Sequence, residues 1–562
     1  MSREFRIKGG EKILAIIKSF SATQKVIFGL LVIVSGMSAL ALAWNVNKSF
    51  LMPVPAHGGR LVEGVVGLPR SINPILAFTD IDRDLSSLIY AGLMKYEDGK
   101  LVPDLAKKYT VSEDGLTYTF TLKDDLRFHD GVPLTADDVE FTMQKIQDNI
   151  IKSPRRADWA NTAFKKISPT EIQFILKQPY APFLANTTLG ILPKHIWSKV
   201  SSDQFIYSQY NIEPIGSGPY ELENIQRDSG GIPLYYSLSS FSRYHEGEPF
   251  ISNLLVYFYP NEKNLLEAYN AGIVESIARI SASAAAQIAS TSMPATILHT
   301  PLPRIFGIFF NQNQAPIFTN SDVRKALDMA TDKQRVVREV LYGYGVVADG
   351  PLPSQNSEKS EITQQDMEKN IAKDIESAKA LLAKKNSTLE FSIATADSPD
   401  LKQVAEIIKQ DWEKIGAKVT IKVFEYGDLY QNVIATRKYD ALLFGESIGK
   451  DLDLYAFWHS SQRNSPGLNV AMYVNSKADK LLEDARVASD SKGKEKIHAQ
   501  FEKIIQEDVP AIFLYSPDFI YIIPDKLEGV SLGSITAPTD RFYGINKWYV
   551  ETANVWKIFN KE

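Results

Sequence analysis

Hydrophobic positions fall into two different patterns along this chain. From Val26 to Trp44 they run on as VIFGLLVIVSGMSALALAW, nineteen residues without a charge. A helix of that length rises about 28 Å, close to the hydrocarbon thickness of a bilayer, so a transmembrane helix is predicted over 26–44. Residues 45–57 follow as a short proline-containing linker. Beyond Gly58, short period-two runs alternate with longer helical stretches. Leu116–Leu122 alternates behind the turn Glu113-Asp114-Gly115 and reads as a half-buried strand. Thr135 is placed as the N-cap, with Asp138 at the third helical position, of a helix through Val139, Phe141 and Ile146. Further helices are expected from Ser321, over 371–382, and over 401–415 with Val404, Ile407, Ile408 and Trp412 on one face. A strand is expected over 418–424, and two helices within 477–508 split near Asp490–Gly493. Strands interleaved with helices predict an α/β body with mixed sheets.

Charge sharpens the reading of the first segment. Residues 1–50 hold seven Lys/Arg against two Glu, a net of +5, which leaves −10 over 51–562 of the whole chain's −5. The basic leader 1–25 is expected in the cytoplasm and the body on the extracytoplasmic side, by the positive-inside rule. Ala41-Leu42-Ala43 resembles a signal cleavage site, so secretion after cleavage is the alternative. The acidic body argues against nucleic acid as a partner. At 562 residues the chain is long enough for several domains.

Candidate chemistry is sparse. The chain has no cysteine, which excludes disulfides, thiol nucleophiles, thiolate zinc sites, iron–sulfur clusters and a lipidated cysteine anchor. No G-x-x-x-x-G-K-[ST] phosphate loop occurs. Gly343-Tyr344-Gly345 lacks the third glycine of a dinucleotide site, and Gly216-Ser217-Gly218 is not a nucleophile elbow. The seven His are scattered without metal-ligand spacing. No catalytic residue, metal or cofactor is therefore expected, and nothing in the residues points to an enzyme. Its 25 Tyr would suit an enclosed pocket lined by rings with polar tips.

A set of ordered motifs carries a resemblance. They begin with Gly58–Gly64 (GGRLVEG), Ser71-Ile72-Asn73-Pro74, and Leu93–Gly99 leading to Pro103–Ala106. The most specific is Thr119–Met143, TFTLKDDLRFHDGVPLTADDVEFTM. Gly216–Tyr220, Ala268–Glu275, Ala315–Phe318, Val323–Leu327, Pro510–Tyr515 and Trp548 continue the series. Together, over about 58–550, they resemble the family 5 extracellular solute-binding proteins, the peptide- and nickel-binding subunits of bacterial ABC importers. The resemblance implies a two-lobed periplasmic-binding-protein-like fold of type II, in its three-domain variant. Lobe I would take 58–97, 214–304 and 512–550, the extra domain of the larger lobe 98–213, and lobe II 305–511. The hinge crossings would lie near Arg304 and Ile512.

The same resemblance implies a role and a site. An oligopeptide or similar small solute (a nickel chelate or sugar being the alternatives) would be clamped between lobes and delivered to permease and ATPase subunits. A peptide sensor or pheromone receptor on the same clamp is the second reading, an exported hydrolase the third. In peptide-binding members an aspartate just after the strand matching Tyr439–Gly445 meets the ligand's α-amino group. Where the family shows G-W-x-x-D, this chain reads Gly445-Glu446-Ser447-Ile448-Gly449. A buried ammonium needs a partner, so either Glu446 or Asp451 takes that role from a shifted position, or the ligand has no free amino group there. Phe78, Thr79, Asp80 and Asn311 are carried over as further ligand contacts, beside Gly445 and Ser447. Tyr426 and Tyr515 would be aromatic walls or, equally, core.

Overall fold

The computed structural model describes residues 16–17, 19–97, 99–180, 182–291, 294–353, 364–383, 389–449, 452–488 and 491–559, excepting the side chains of 364–368, 491 and 559. Two compact units are present, one made of the N-terminal segment to His57 with residues 551–562, the other of Gly58–Val550.

In the first unit the apolar run is a helix, Ala22–Phe50, which extends beyond the uncharged stretch at both ends. Ser21 starts it with a capping box, accepting from the Gln24 amide while the Gln24 side chain accepts from the Ser21 amide. None of its residues is buried, and it is long and apolar enough to cross a membrane. Residues 45–57, expected as a linker, continue this helix to Phe50 and then form the strand Leu51–Ala56. That strand pairs antiparallel with Glu551–Trp556, from Leu51 opposite Trp556 to Ala56 opposite Glu551. Nothing in Asn45–Ser49 breaks a helix, and Pro53 and Pro55 are tolerated because the ribbon has only two strands.

The second unit is built on one extended set of twelve strands. Ten of them run in the order 418–424, 390–396, 441–447, 304–310, 511–524, 276–278, 58–66, 251–259, 233–240, 220–227, and the other two, 295–301 and 345–347, pair with 511–524 off that path. The fourteen-residue strand Ala511–Pro524 is its spine. Ala511–Tyr515 pair with Phe306–Phe309, whereas Asp518–Pro524 pair with Ala295–Pro301. Two separate cores flank this spine. One gathers Phe309, Phe310, Trp412, Trp458 and Phe513 from residues 305–515. The other joins Leu61, Leu85 and Tyr220 to Phe120, Phe174 and Trp197. The strand Gly58–Val66 buries Leu61 and Val65 on that core and Val62 in a smaller cluster with Leu265 and Ile522, as a strand covered on both faces does.

Local signals act where the sequence placed them. Thr117–Leu122 buries Tyr118, Phe120 and Leu122 alternately within a four-stranded antiparallel sheet. Thr135 caps Ala136–Gln147 in a capping box closed by Asp138. The helix Pro399–Glu413 buries Val404, Ile407, Ile408 and Trp412. Gly216 and Gly218 mark the closest backbone approach: a Cβ at Gly216 would lie 1.9 Å from the Ile89 carbonyl oxygen. This contact fixes the end of the helix Asp80–Ile89, where the cavity begins.

Candidate functional site

A cavity of about 670 Å³ opens beside the C-terminal end of the helix Asp80–Ile89. Its wall is assembled from distant stretches: Pro74–Tyr96, residues 155–190, Pro219–Glu246, Ser447–Gly449 and Thr536–Asn546. Only Ser447, Ile448 and Gly449 come from the 305–515 side, so that strand end faces a larger wall. The volume lies within the usual range of small-molecule sites.

The wall carries polar groups of two kinds. Tyr90 Oη, Ser86 Oγ and Arg155 Nε are buried and have no hydrogen-bond partner among the described residues. An unpaired buried donor or acceptor costs about 1–3 kcal/mol, so these three are the atoms a ligand would relieve. Burial pushes the Tyr90 hydroxyl well above the ordinary phenol range, so it stays protonated and able to donate. The second kind is a paired network. Asp104 Oδ1 lies 2.6 Å from His245 Nε2, and Lys95 pairs with Glu246 beside Lys123 at 3.9 Å. Asp104, His245 and Glu246 place ligand-type atoms within 4.8 Å of one another. Two ammonium groups already balance that charge and would repel a dication, so the cluster reads as an ion-pair network.

The segment Thr536–Asn546 is held rigidly. Asp540 accepts from the Thr536 amide at 2.8 Å and the Ala537 amide at 3.0 Å. The fully buried Arg541 donates to Glu63 Oε1 at 2.6 Å and Asp84 Oδ2 at 2.7 Å, while Tyr521 donates to Glu63 at 2.8 Å. Burial alone would raise the Asp84 pKa, but Arg279 and Arg541 outweigh it and hold it at about 2.

The sequence-derived candidates are dispersed by this geometry. Ser447 reaches the cavity wall, adjoining Ile448 and Gly449. Phe78 is 72% exposed and is not part of the wall, although Ala77 is. Thr79 is an N-cap, accepting from the Asp82 amide at 3.2 Å. Asp80 is exposed and pairs with Arg83 at 3.3 Å. Asn311 is buried, donating to the Arg437 carbonyl at 2.8 Å and accepting from the amides of Asn313 and Gln314. Tyr515 is core, stacked on Phe306 at 5.0 Å, and Tyr426 is exposed away from the cavity lining. Gly445 packs on the Phe306 ring, where a Cβ would come within 2.8 Å. Asp451 lies outside the described residues.

Glu446 is buried, and its Oε1 has no partner among the described residues. Desolvation raises its pKa well above the carboxylate range, countered only by the Trp458 indole N–H. The same burial that raises it favours the protonated, uncharged form of the carboxyl. Tyr90, Ser86 and Arg155 escaped the sequence reading. Their one local link is that Tyr90 caps the helix Asp80–Ile89, its extended backbone donating its amide to the Ser86 carbonyl.

Comparison with known proteins agrees with this architecture. The family model described as "Bacterial extracellular solute-binding proteins, family 5 Middle" matches residues 100–469. The oligopeptide-binding protein AppA of Bacillus subtilis is 27% identical over 514 residues, covering 88% of this chain and 92% of AppA. Its structure, solved with a nonapeptide, superimposes with a TM-score of 0.67 over 89% of this chain and 100% of that one. The dipeptide-binding protein of Escherichia coli is 25% identical over 495 residues, covering 80% and 87% of the two chains. The ABC transporter substrate-binding protein CtaP of Listeria monocytogenes, at 25% identity, gives a TM-score of 0.75 over 88% and 100%. A match across 370 residues of the body, with relatives spanning nearly their whole length, places this chain in family 5 of the bacterial extracellular solute-binding proteins.

Proposed function

We propose that the protein captures an oligopeptide, or a similar small solute, outside the cytoplasm and delivers it to the permease of an ABC importer powered by ATPase subunits. The helix Ala22–Phe50 is read as an uncleaved anchor that keeps the body at the membrane surface. The observation that carries the binding role is the 670 Å³ cavity with Tyr90 Oη, Ser86 Oγ and Arg155 Nε without hydrogen-bond partners among the described residues on its wall. A peptide supplies what those groups lack, since each of its amides offers an acceptor and a donor. The solved AppA complex with a nonapeptide supports that ligand class. Ser447–Gly449, the contribution from the 305–515 side, would close on ligand as the two cores approach. The role is binding without catalysis.

The test is calorimetry of the purified protein against short peptides of varied length. Binding is expected, and Tyr90→Phe is expected to weaken it roughly 2- to 10-fold, the worth of one neutral hydrogen bond. Peptides that leave no heat and no thermal shift would remove the peptide reading, and turnover of a bound peptide would replace it with catalysis.

A further inference from the structure

Leu51–Ala56 and Glu551–Trp556 form one ribbon, and the ribbon is apolar at the end nearest the helix. Phe50, the last helical residue, stacks on Trp556 at 6.3 Å, and Leu51 opposes Trp556. At the other end Ala56 opposes Glu551, and Pro55 opposes Thr552. After Trp556 the chain turns through Lys557–Phe559, with Ile558 71% exposed and Trp556 44% exposed. Water is a poor surrounding for such a cluster.

Helix length says where the cluster lies. With Val26–Trp44 across the hydrocarbon, Phe50 stands about 9 Å beyond Trp44 along the axis. A bilayer measures about 40–45 Å with its headgroups against about 30 Å without, so Phe50 sits at the outer edge of the headgroup layer. Trp44, 74% exposed, occupies the interface itself. Lys48 in the last helical turn and Lys557 in the C-terminal turn bring positive charge to the level of lipid phosphates.

We infer that Trp556–Ile558 is a second membrane contact: the strand Glu551–Trp556 returns the C-terminal segment to the outer face of the bilayer, where Trp556 and Ile558 insert among lipid headgroups. This inference rests on the anchor reading. It makes the membrane attachment two-point, one spanning helix and one interfacial turn clipped to it by backbone pairing.

The chain contains no cysteine, so single sites can be labelled on the full-length protein. Ile558→Cys, Thr552→Cys and Trp44→Cys variants would carry an environment-sensitive fluorophore in vesicles of phosphatidylethanolamine and phosphatidylglycerol. Nitroxide quenchers would be placed on the headgroup or at mid-chain. The label at 558 is expected to lose most of its emission to the headgroup quencher, and the label at 552 little to either. The Trp44→Cys label should be quenched in every preparation. Emission retained at 558 while position 44 is quenched overturns the inference and leaves the anchor standing. Emission retained at 44 removes the anchor, and the inference falls with it. The double variant Met52→Cys/Val555→Cys, opposite one another in the ribbon, should cross-link within one chain on oxidation; a failure to do so also overturns it.

Discussion

A carboxyl group enclosed as fully as that of Glu446 is accommodated only while it keeps its proton. The native state then binds a proton that the unfolded chain releases above its ordinary pKa near 4.5. Stability contributed by that proton is complete at low pH and declines as pH rises past 4.5. Glu446→Gln should therefore be more stable than the parent at pH 7 and indistinguishable from it near pH 4, as read by urea unfolding at both values. Asp84 behaves in the opposite sense. Held at about 2 by Arg279 and Arg541, it stabilises the fold above its ordinary value of 3.8 and ceases to do so as pH falls towards 2. Arg541→Met leaves Glu63 and Asp84 buried without their shared cation and should cost about 3–5 kcal/mol, measurable as a large drop in denaturation midpoint. Sequence alone could name Glu446 as an acid but could not show its burial, which only the packed strand Ala441–Ser447 reveals. Tyr90 and Ser86 were invisible for the same reason. A hydroxyl becomes conspicuous only when the fold denies it a partner.

Elements were far more legible, because their signals are local. The Thr135–Asp138 capping box, the alternation at 117–122 and the apolar face of 399–413 all depend on residues a few positions apart. The pairing of Leu51–Ala56 with Glu551–Trp556 was not foreseen, since it joins segments five hundred positions apart and Pro53 and Pro55 disguise the strand. Gly216 lies between these cases. Its neighbours suggest a tight passage, yet only the packed structure reveals the Ile89 carbonyl 1.9 Å from where a Cβ would sit. Gly216→Ala should force the helix Asp80–Ile89 off its seat and remove several kcal/mol of stability, within the range of overpacked sites. Circular dichroism melts should register that loss. Ala at Gly231, where nothing lies within 4 Å, should lose only the smaller amount that its φ of +81° imposes.

For the molecule as a whole, two cores on one spine invite a change of angle between them when ligand fills the cavity. Small-angle X-ray scattering should show a smaller radius of gyration once a binding peptide is added to saturation, and an unchanged radius would argue for a preclosed clamp. The spine itself has a consequence for biogenesis. Ala511–Pro524 forms the middle of the sheet, yet it is made and exported after every strand it pairs with. Strands 276–278, 295–301 and 304–310 must wait, unpaired along the edges it will occupy, while two hundred residues follow the last of them before Ala511 arrives. Their exposed edges are open to mispairing throughout that interval. The chain therefore depends on whatever shields unfolded polypeptide on the far side of the membrane, and a truncation before Ala511 would leave two incomplete half-sheets in place of a weakened receptor.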